Sequence, residues 1–393
     1  MQTKVFLFFS VFFALSCSKG NNETVALIEK NLELAVEQYK AMDLTVADSL
    51  FPRSTKPDGS LMTNKSWWWT SGFYPGSLWY LYEFSGDTAI LSAAQKKLKA
   101  LEKEQYSTYD HDIGFKMLCS YGNAYRITSE NSYVPIIVNS AKSLLQRYDS
   151  TVRSIRSWDD IGDTAQFKVI IDNMMNLELL FWATHQTGDS IYYYTAVEHA
   201  NTTLANHFRP DGSSYHLVSY KPQTGEVLYK KTVQGFADSS AWARGQAWGL
   251  YGYVVCYRET TDPSYLAIAN KIAGLLINHP NLPADKIPYW DFNAPDIPGA
   301  KRDASAAAIM ASALIELASF TDGNQRKLYL AHATEILKSL SSDVYRAKTG
   351  ENNNFLLKHS VGHLPANSEV DVPLSYADYY YIEALLRLKK TLK

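Results

Sequence analysis

SGDTAILSAAQKKLKAL, residues 85–101, opens with a short polar turn and continues with small and apolar residues three and four apart, the spacing that lines one face of an α-helix. The phrase returns as SENSYVPIIVNSAKSLL at 129–145, TGDSIYYYTAVEHANTTL at 187–204, TDPSYLAIANKIAGLLI at 261–277 and TDGNQRKLYLAHATEIL at 321–337. Each copy follows another apolar helical segment: GSLWYLYEF, GNAYRI, LLFWATHQ, GLYGYVVCYRE and AIMASALIELASF in turn. Pairs of helices are being repeated. Spacings of about 45 to 75 residues are too uneven for a short-repeat solenoid and fit a ring of helical hairpins with long insertions. The expected architecture is all-α, a single toroid of inner and outer helices with functional loops collected at one end. Period-two strands are scarce. The exception is SYHLVSYKPQTGEVLYKK at 214–231, which reads as a short β-hairpin turning through Pro222 to Gly225.

The chain of 393 residues carries a net charge of −2, without long runs of one sign, so no electrostatic case exists for nucleic acid. Aromatic residues are the anomaly: 27 Tyr, 16 Phe and 9 Trp make 13% of the chain. Flat rings with polar edges suit the walls of a sugar-binding cleft, although most belong to an ordinary core. The nine histidines are scattered and no CxxC or HExxH spacing occurs, so neither a metal nor any other cofactor is expected.

The N-terminus, MQTKVFLFFSVFFALSCSKGNN, has one lysine, an apolar run from Val5 to Leu15, and small residues before Cys17. That run is short for a transmembrane helix and has the layout of a secretory signal. Ala14 to Cys17 resembles a bacterial lipobox, in which the cysteine is lipidated and becomes the first mature residue. The expected division is a lipoprotein signal peptide at 1–16, a polar tether at 17–26 and a single helical domain at 27–393. Such a chain is exported and held at the membrane through its lipid, as a periplasmic or outer-membrane lipoprotein of a Gram-negative bacterium. Cys119 and Cys256 are then the only cysteines besides Cys17, both in apolar helical surroundings, and a disulfide framework is not expected.

IIDNMMNLELLFWATHQTGD, residues 170–189, reads as a helix enclosed nearly all round and interrupted by one carboxylate, Asp172. Burying an unpaired carboxylate is costly unless it finds a partner, caps a helix, or keeps its proton through a raised pKa. Three other motifs mix glycine, aromatics and polar groups at helix entries. NKSWWWTSGFYPGSLWYLYE holds Trp67, Trp68 and Trp69; three tryptophans in a row cannot all face a core, so one lines a cavity, meets solvent, or helps plug a barrel end. YDHDIGFKMLCSYGNAY places Asp110, His111 and Asp112 just before a helix, where one aspartate would serve as a cap. QGFADSSAWARGQAWGLYGY gathers Gln234, Asp238, Trp242, Arg244, Gln246 and Trp248. There Arg244 reaches a ligand carboxylate with two parallel hydrogen bonds, or instead pairs internally with Asp238. His216, in the hairpin, means little alone. Together these motifs describe an aromatic-lined pocket with two carboxylates, Asp112 and Asp172, of which Asp172 has the apolar setting that raises a pKa.

The residues also resemble glycoside hydrolase family 88, the unsaturated glucuronyl hydrolases. The likeness runs from WTSGFYPGSLW through HDIGF, IIDNMMNLELLFWA, SSYH, SSAWARGQAWGLYGY, PYWDF and RDASAAAI to DYYYIEALLR. It implies an (α/α)6 barrel and removal of a 4,5-unsaturated uronic acid from the non-reducing end of lyase-generated oligosaccharides, by hydration of the vinyl ether. By the same resemblance Asp172 is the general acid that protonates C4 and then assists water at C5. Asp112 is the second essential carboxylate, orienting substrate or steadying positive charge. Trp69, His111, His216, Gln234, Trp242, Arg244 and Trp248 match positions that bind the uronate or lie near substrate and water. The implied partners are unsaturated uronate oligosaccharides of the glycosaminoglycan or ulvan type. Tyr74 stands where many relatives carry Trp, and the tail KHSVGHLPANSEVDVPLSYADYY departs from the family's glycine-rich pattern, so the polysaccharide itself is not implied. An unsaturated rhamnogalacturonyl hydrolase is the related alternative. A non-catalytic oligosaccharide-binding lipoprotein would share the aromatic pocket but would not need a carboxylate in an apolar wall. A sugar epimerase on the same barrel would rely on paired histidines instead.

Overall fold

A computed structural model describes residues 7–392, with side chains from 21 to 392. Residues 1–6 of the expected signal and the side chain of the lipidation candidate Cys17 lie outside the described residues. The chain opens with α1 (Leu7–Asp43), whose helical backbone runs through the segment expected to be a tether. Five hairpins then follow the repeated phrase. They pair α2 (Phe73–Ser85) with α3 (Thr88–Leu101), α4 and α5 (Ile113–Met117 and Asn123–Thr128, joined by a π-helical turn at Leu118–Gly122) with α6 (Tyr133–Leu145), and α7 (Leu177–Thr187) with α8 (Ser190–His207). The last two pair α9 (Ala243–Thr260) with α10 (Pro263–Asn278) and α11 (Ala304–Ser319) with α12 (Gly323–Leu340). The sixth pair is made by the chain ends: α13 (Ser375–Leu392) closes the inner ring between α11 and α2, with α1 outside it. The result is an (α/α)6 toroid.

The repeated phrase works through local hydrogen bonds. Gly86 and Gly188 take left-handed backbone (φ 66° and 72°) to end α2 and α7, returning their N–H groups to the carbonyls of Tyr82 and Thr184. The next residue caps the outer helix: Asp87 accepts from Ala89 and Ile90, and Asp189 from Ile191. Asp262 does the same for α10, with Pro263 supplying the fixed φ of a first helical residue. Each cap is worth about 1 kcal/mol. The reversals therefore fall where the sequence places them.

Among the described residues nine short strands decorate one end of the ring. They are β1 (Phe51–Thr55), β2 (Leu61–Asn64), β3 (Tyr148–Asp149), β4 (Ser154–Ile155), β5 (Phe167–Ile170), β6 (Leu217–Tyr220), β7 (Val227–Lys231), β8 (Ser360–His363) and β9 (Ser368–Val372). The expected hairpin is β6–β7, but it is not alone, because β5 pairs antiparallel with β6 to make a three-stranded sheet. That added strand corrects the reading of residues 170–189 as one helix. Ile170 ends β5, Ile171–Asn176 form a 3₁₀ turn, and only from Leu177 does α7 begin.

Candidate active site

The β5–β6 pairing sets the site. Ile170 lies opposite Leu217, and beyond the last pair the Ile171 N–H donates to the His216 carbonyl at 2.9 Å. Asp172 and His216 are thereby brought side by side, and His216 Nε2 stands 3.6 Å from Asp172 Oδ2. The 3₁₀ turn that carries Asp172 rests on α9 where α9 has no side chain: a Cβ on Gly252 would sit 2.5 Å from the Cβ of Met174. Gly114 allows the same closeness on the other flank, since a Cβ there would lie 2.6 Å from Asn176 Oδ1. Asn176 Oδ1 also accepts the Phe115 N–H at 3.1 Å. These contacts draw the start of α4, with Asp112, against the turn that carries Asp172.

Burial pushes the Asp172 carboxyl up from 3.8 to about 6, against the pull of the Arg244 charge and the Trp248 indole N–H. Asp112 does not cap α4; its side chain makes no hydrogen bond to the helix backbone. The expected cap is absent from this motif: Asp110 accepts the Asp112 N–H at 2.9 Å, ahead of the helix, and pairs with Lys116 at 3.0 Å. Asp112 is left facing His111 Nε2 at 3.5 Å. Burial first, and then the charge of Asp110, pushes the Asp112 carboxyl well above the usual range; Asp172 adds to the rise, and Lys116 and Arg147 oppose it. That direction favours the protonated form of Asp112.

His216 has a fixed tautomer. The N–H groups of Val233 and Gln234 both donate to its Nδ1, at 3.1 and 3.2 Å. Nδ1 therefore carries no proton, and in the neutral ring Nε2 does. Burial, with Arg244 adding to it, holds the ring well below its ordinary pKa, so it is neutral. Trp242 packs on the ring at 4.6 Å and Trp158 meets it edge-on at 5.8 Å. His111 is likewise kept neutral, its pKa pushed down to about 4 by burial.

Arg244 is the residue whose expected role changes most. One terminal nitrogen donates to Asp303 Oδ2 at 3.2 Å and to the Val361 carbonyl; the other donates to Gln234 Oε1 at 2.9 Å and to the Gly362 carbonyl at 2.6 Å. Its side chain is 2% exposed. The two-pronged reach assigned to a ligand carboxylate is spent inside the protein, and the partner is Asp303, not Asp238. Asp238 instead accepts the Thr232 N–H at 2.8 Å. With Oε1 held by Arg244, the Gln234 amide has only its nitrogen left to offer.

Trp242 and Trp248 both reach the Asp172–His216 pair because Trp242 precedes α9 in extended backbone, off the helix that carries Trp248. Trp248 is fully buried, and its indole nitrogen has no good hydrogen-bond partner among the described residues. Trp69 joins a plug of rings across the barrel axis, 5.0 Å from Tyr376 and 5.8 Å from Phe115, with Phe115 in turn 5.2 Å from Trp248. Its neighbours divide as expected: Trp67 is 49% exposed, while Trp68 lies under Arg53 at 4.2 Å. Three site residues are not among those the sequence singles out: Asp303, Tyr376 and Trp158. Asp303 alone left a trace, an aspartate opening the alanine-rich helix α11, whose Ser305 and Ala306 N–H groups it caps.

Asp112, Asp172, Trp242, Asp303, Tyr376 and Trp69 sit at or just before the first turns of α4, α7, α9, α11, α13 and α2. Six helix N-termini thus converge, and their partial positive charge favours an anionic ligand. A separate cavity of about 500 Å³ opens at the other end of the ring, lined by Glu178, Glu383, Arg258 and Arg387. Among the described residues no cluster of His, Cys, Asp and Glu has the arrangement of a metal site.

Residues 45–388 match the sequence pattern of Glycosyl Hydrolase Family 88. The chain belongs to this family. Within it, the unsaturated glucuronyl hydrolase of Formosa agariphila is 50% identical over 320 residues, covering 81% of this chain and 79% of the relative. The crystal structure of an unsaturated glucuronyl hydrolase specific for heparin superposes with a TM-score of 0.90 at 47% identity, covering 93% of this chain and 98% of the other. An aspartate-to-asparagine mutant of the Streptococcus agalactiae enzyme complexed with dGlcA-GalNAc6S superposes with a TM-score of 0.79 at 29% identity, covering 93% and 92%. Family 88 membership agrees with the toroid.

Proposed function

We propose that this family 88 glycoside hydrolase removes 4,5-unsaturated glucuronic acid from the non-reducing end of oligosaccharides left by polysaccharide lyases. The observation that carries the reading is Asp172, an acid with a pKa of about 6 in a buried wall, facing a neutral imidazole N–H. A proton donor works best with a pKa near the working pH.

Asp172 gives its proton to C4 of the vinyl ether, leaving positive charge shared between C5 and the ring oxygen. Water then adds to C5 and its surplus proton returns to Asp172. His216 cannot take that proton, since Nδ1 is occupied by two backbone donors and Nε2 already carries hydrogen. Asp172 therefore serves as acid and base in turn, while His216 orients the carboxylate or the water. The hemiketal opens to a ketone at C5, and the hemiacetal at C1 expels the remaining sugar as an alcohol. Neutral Asp112 donates a hydrogen bond to a substrate hydroxyl. The uronate carboxylate lies at the convergence of helix N-termini, with the Gln234 amide nitrogen as its donor.

The same proposal covers location. The apolar run from Val5 to Leu15 and the following Cys17 support export and lipid anchoring, with the enzyme at the periplasmic or outer membrane surface of a Gram-negative cell. Among the described residues no helix is long and apolar enough to cross a membrane. Incorporation of a labelled fatty acid into wild type but not Cys17→Ala tests the anchor.

The activity is tested by loss of ultraviolet absorbance from the conjugated uronate, using unsaturated disaccharides from heparin, chondroitin, hyaluronan, ulvan and rhamnogalacturonan. The heparin-specific relative puts heparin products first in that panel. Binding without absorbance loss would favour capture over catalysis, and loss restricted to rhamnogalacturonan products would favour the other hydrolase.

A further inference from the structure

The hairpin β8–β9 lies in the tail expected to depart from the family pattern, and it is tied to the site through Arg244, Asp303 and Val233. Arg244 holds the carbonyls of Val361 and Gly362, and Asp303 accepts the Val361 N–H at 3.4 Å. At the end of β8, His363 Nε2 lies 3.0 Å from the Val233 carbonyl. A carbonyl only accepts, so His363 carries its hydrogen on Nε2. The same Val233 residue, through its N–H, holds His216 Nδ1, and the next N–H, of Gln234, does so too. His363, the Val233–Gln234 backbone, His216 and Asp172 thus form one chain of contacts.

We propose that His363 is a positioning residue for Asp172, acting through the Val233–Gln234 backbone to aim the His216 Nε2–H at the Asp172 carboxylate. It rests on the vinyl ether reading above. The charged and titratable groups around His216 are Asp172, Arg244, His363, His207 and His111, and those around Asp172 are His216, Arg244 and Asp112. Among these, only His363 touches the strand of backbone that grips His216 without also bonding Asp303. When that grip loosens, the His216 ring loses the pair of donors that fixes its tautomer. Its Nε2–H then no longer favours the ionised form of Asp172, and the Asp172 pKa rises. His363 touches neither carboxylate, so a substitution acts on them only through this path.

The test uses the full chain with an unsaturated disaccharide as probe, comparing wild type with His363→Ala and His363→Gln. His363→Ala lowers kcat about tenfold, because the donor is misaimed, and changes KM by less than about twofold. It also moves the alkaline limb of the kcat/KM profile to higher pH. His363→Gln, whose amide nitrogen can reach the Val233 carbonyl, restores most of kcat and returns the limb. The imidazole NMR signals of His216 report the same change without turnover: they shift in the Ala variant and return in the Gln variant. Unchanged kcat and an unmoved limb in His363→Ala, a loss that Gln does not restore, or His216 signals indifferent to both substitutions would overturn the proposal. Absorbance that wild type leaves untouched would overturn the vinyl ether reading instead, and the NMR comparison would still decide the role of His363.

Discussion

His216 Nε2 and Asp172 Oδ2 face each other at 3.6 Å, and neither atom has a hydrogen-bond partner elsewhere among the described residues. Two unpartnered polar atoms aimed at one point cost stability unless something arrives between or against them. In a catalytic pocket that something is the substrate, and hydrogen bonds that are long in the free enzyme tighten in the complex. The turn carrying Asp172 is held in place by backbone pairing with β6 and by its seat on α9, not by bonds to the carboxylate. The carboxylate is therefore left for chemistry.

Replacing Asp172 with Asn keeps shape and removes the proton. Turnover of an unsaturated disaccharide falls about 10³-fold or more, within the range spanned by general acid catalysis. Binding of the same disaccharide persists, measured by calorimetry. In wild type the protonated acid is the active form, so kcat/KM declines as pH rises through about 6. A profile flat from about pH 5 to 8 would contradict the assignment of Asp172 as the acid.

The same carboxylate has a stability signature. Its pKa rises on folding from 3.8 to about 6, so the folded chain holds this proton more tightly than the unfolded chain does. The ionisation penalty is absent below about pH 4, grows between about pH 4 and 6, and is complete above, reaching about 3 kcal/mol. Asp172→Asn removes it. The variant melts higher than wild type at about pH 8, and the gap closes by about pH 4; calorimetric melting at both values checks the sign.

How much of this was legible in the sequence follows the range of each interaction. The five hairpin turns are built from neighbours, such as Gly86 with Tyr82 and Asp87 with Ala89, and so they stand out in the string. The sixth pair joins α13 to α1 across the whole chain, and no local phrase marks it. Residues 170–182 misled because an apolar run has the same look in a strand, a 3₁₀ turn and a buried helix, and six residues are too few for periodicity to separate them. The local candidate partner of Arg244, Asp238, is six residues away, whereas the actual one, Asp303, is 59 away. The aspartates themselves were visible because a charge inside an apolar run is rare, whereas the link from His363 to Val233 spans 130 residues and has no compositional trace.

Two glycines on outer and inner helices should respond oppositely to alanine. At Gly274, on α10, a Cβ meets nothing within 4 Å. Gly274→Ala gains about 0.5–1 kcal/mol from helix propensity and a less flexible unfolded chain. At Gly252 the Cβ would lie 2.5 Å from the Met174 Cβ and 3.1 Å from its carbonyl carbon. Overpacking costs about 1–3 kcal/mol, which outweighs the same propensity gain. It also shifts the turn bearing Asp172, and kcat falls by about tenfold or more. Melting curves and kcat for both variants check the contrast; a stabilised, fully active Gly252→Ala would show that α9 and the turn do not fix Asp172.

Arg244 separates two readings that share a residue. As a ligand clamp it would govern KM and leave the free enzyme's stability alone. Its bonds to Asp303, Gln234 and the carbonyls of Val361 and Gly362 tie α9, α11 and the β8–β9 hairpin together. Removing one partner of a buried ion pair costs about 3–5 kcal/mol, chiefly because the other charge stays buried. Arg244→Ala therefore lowers the melting temperature by several degrees with no ligand present. Arg244→Lys does little better, since a single ammonium cannot copy a planar fork that serves four acceptors. Both variants also lose turnover, because Gln234 and the hairpin that holds Val233 are released with the guanidinium. Differential scanning calorimetry of the free proteins, set beside KM and kcat, decides the matter: unchanged melting with a raised KM would return Arg244 to the substrate.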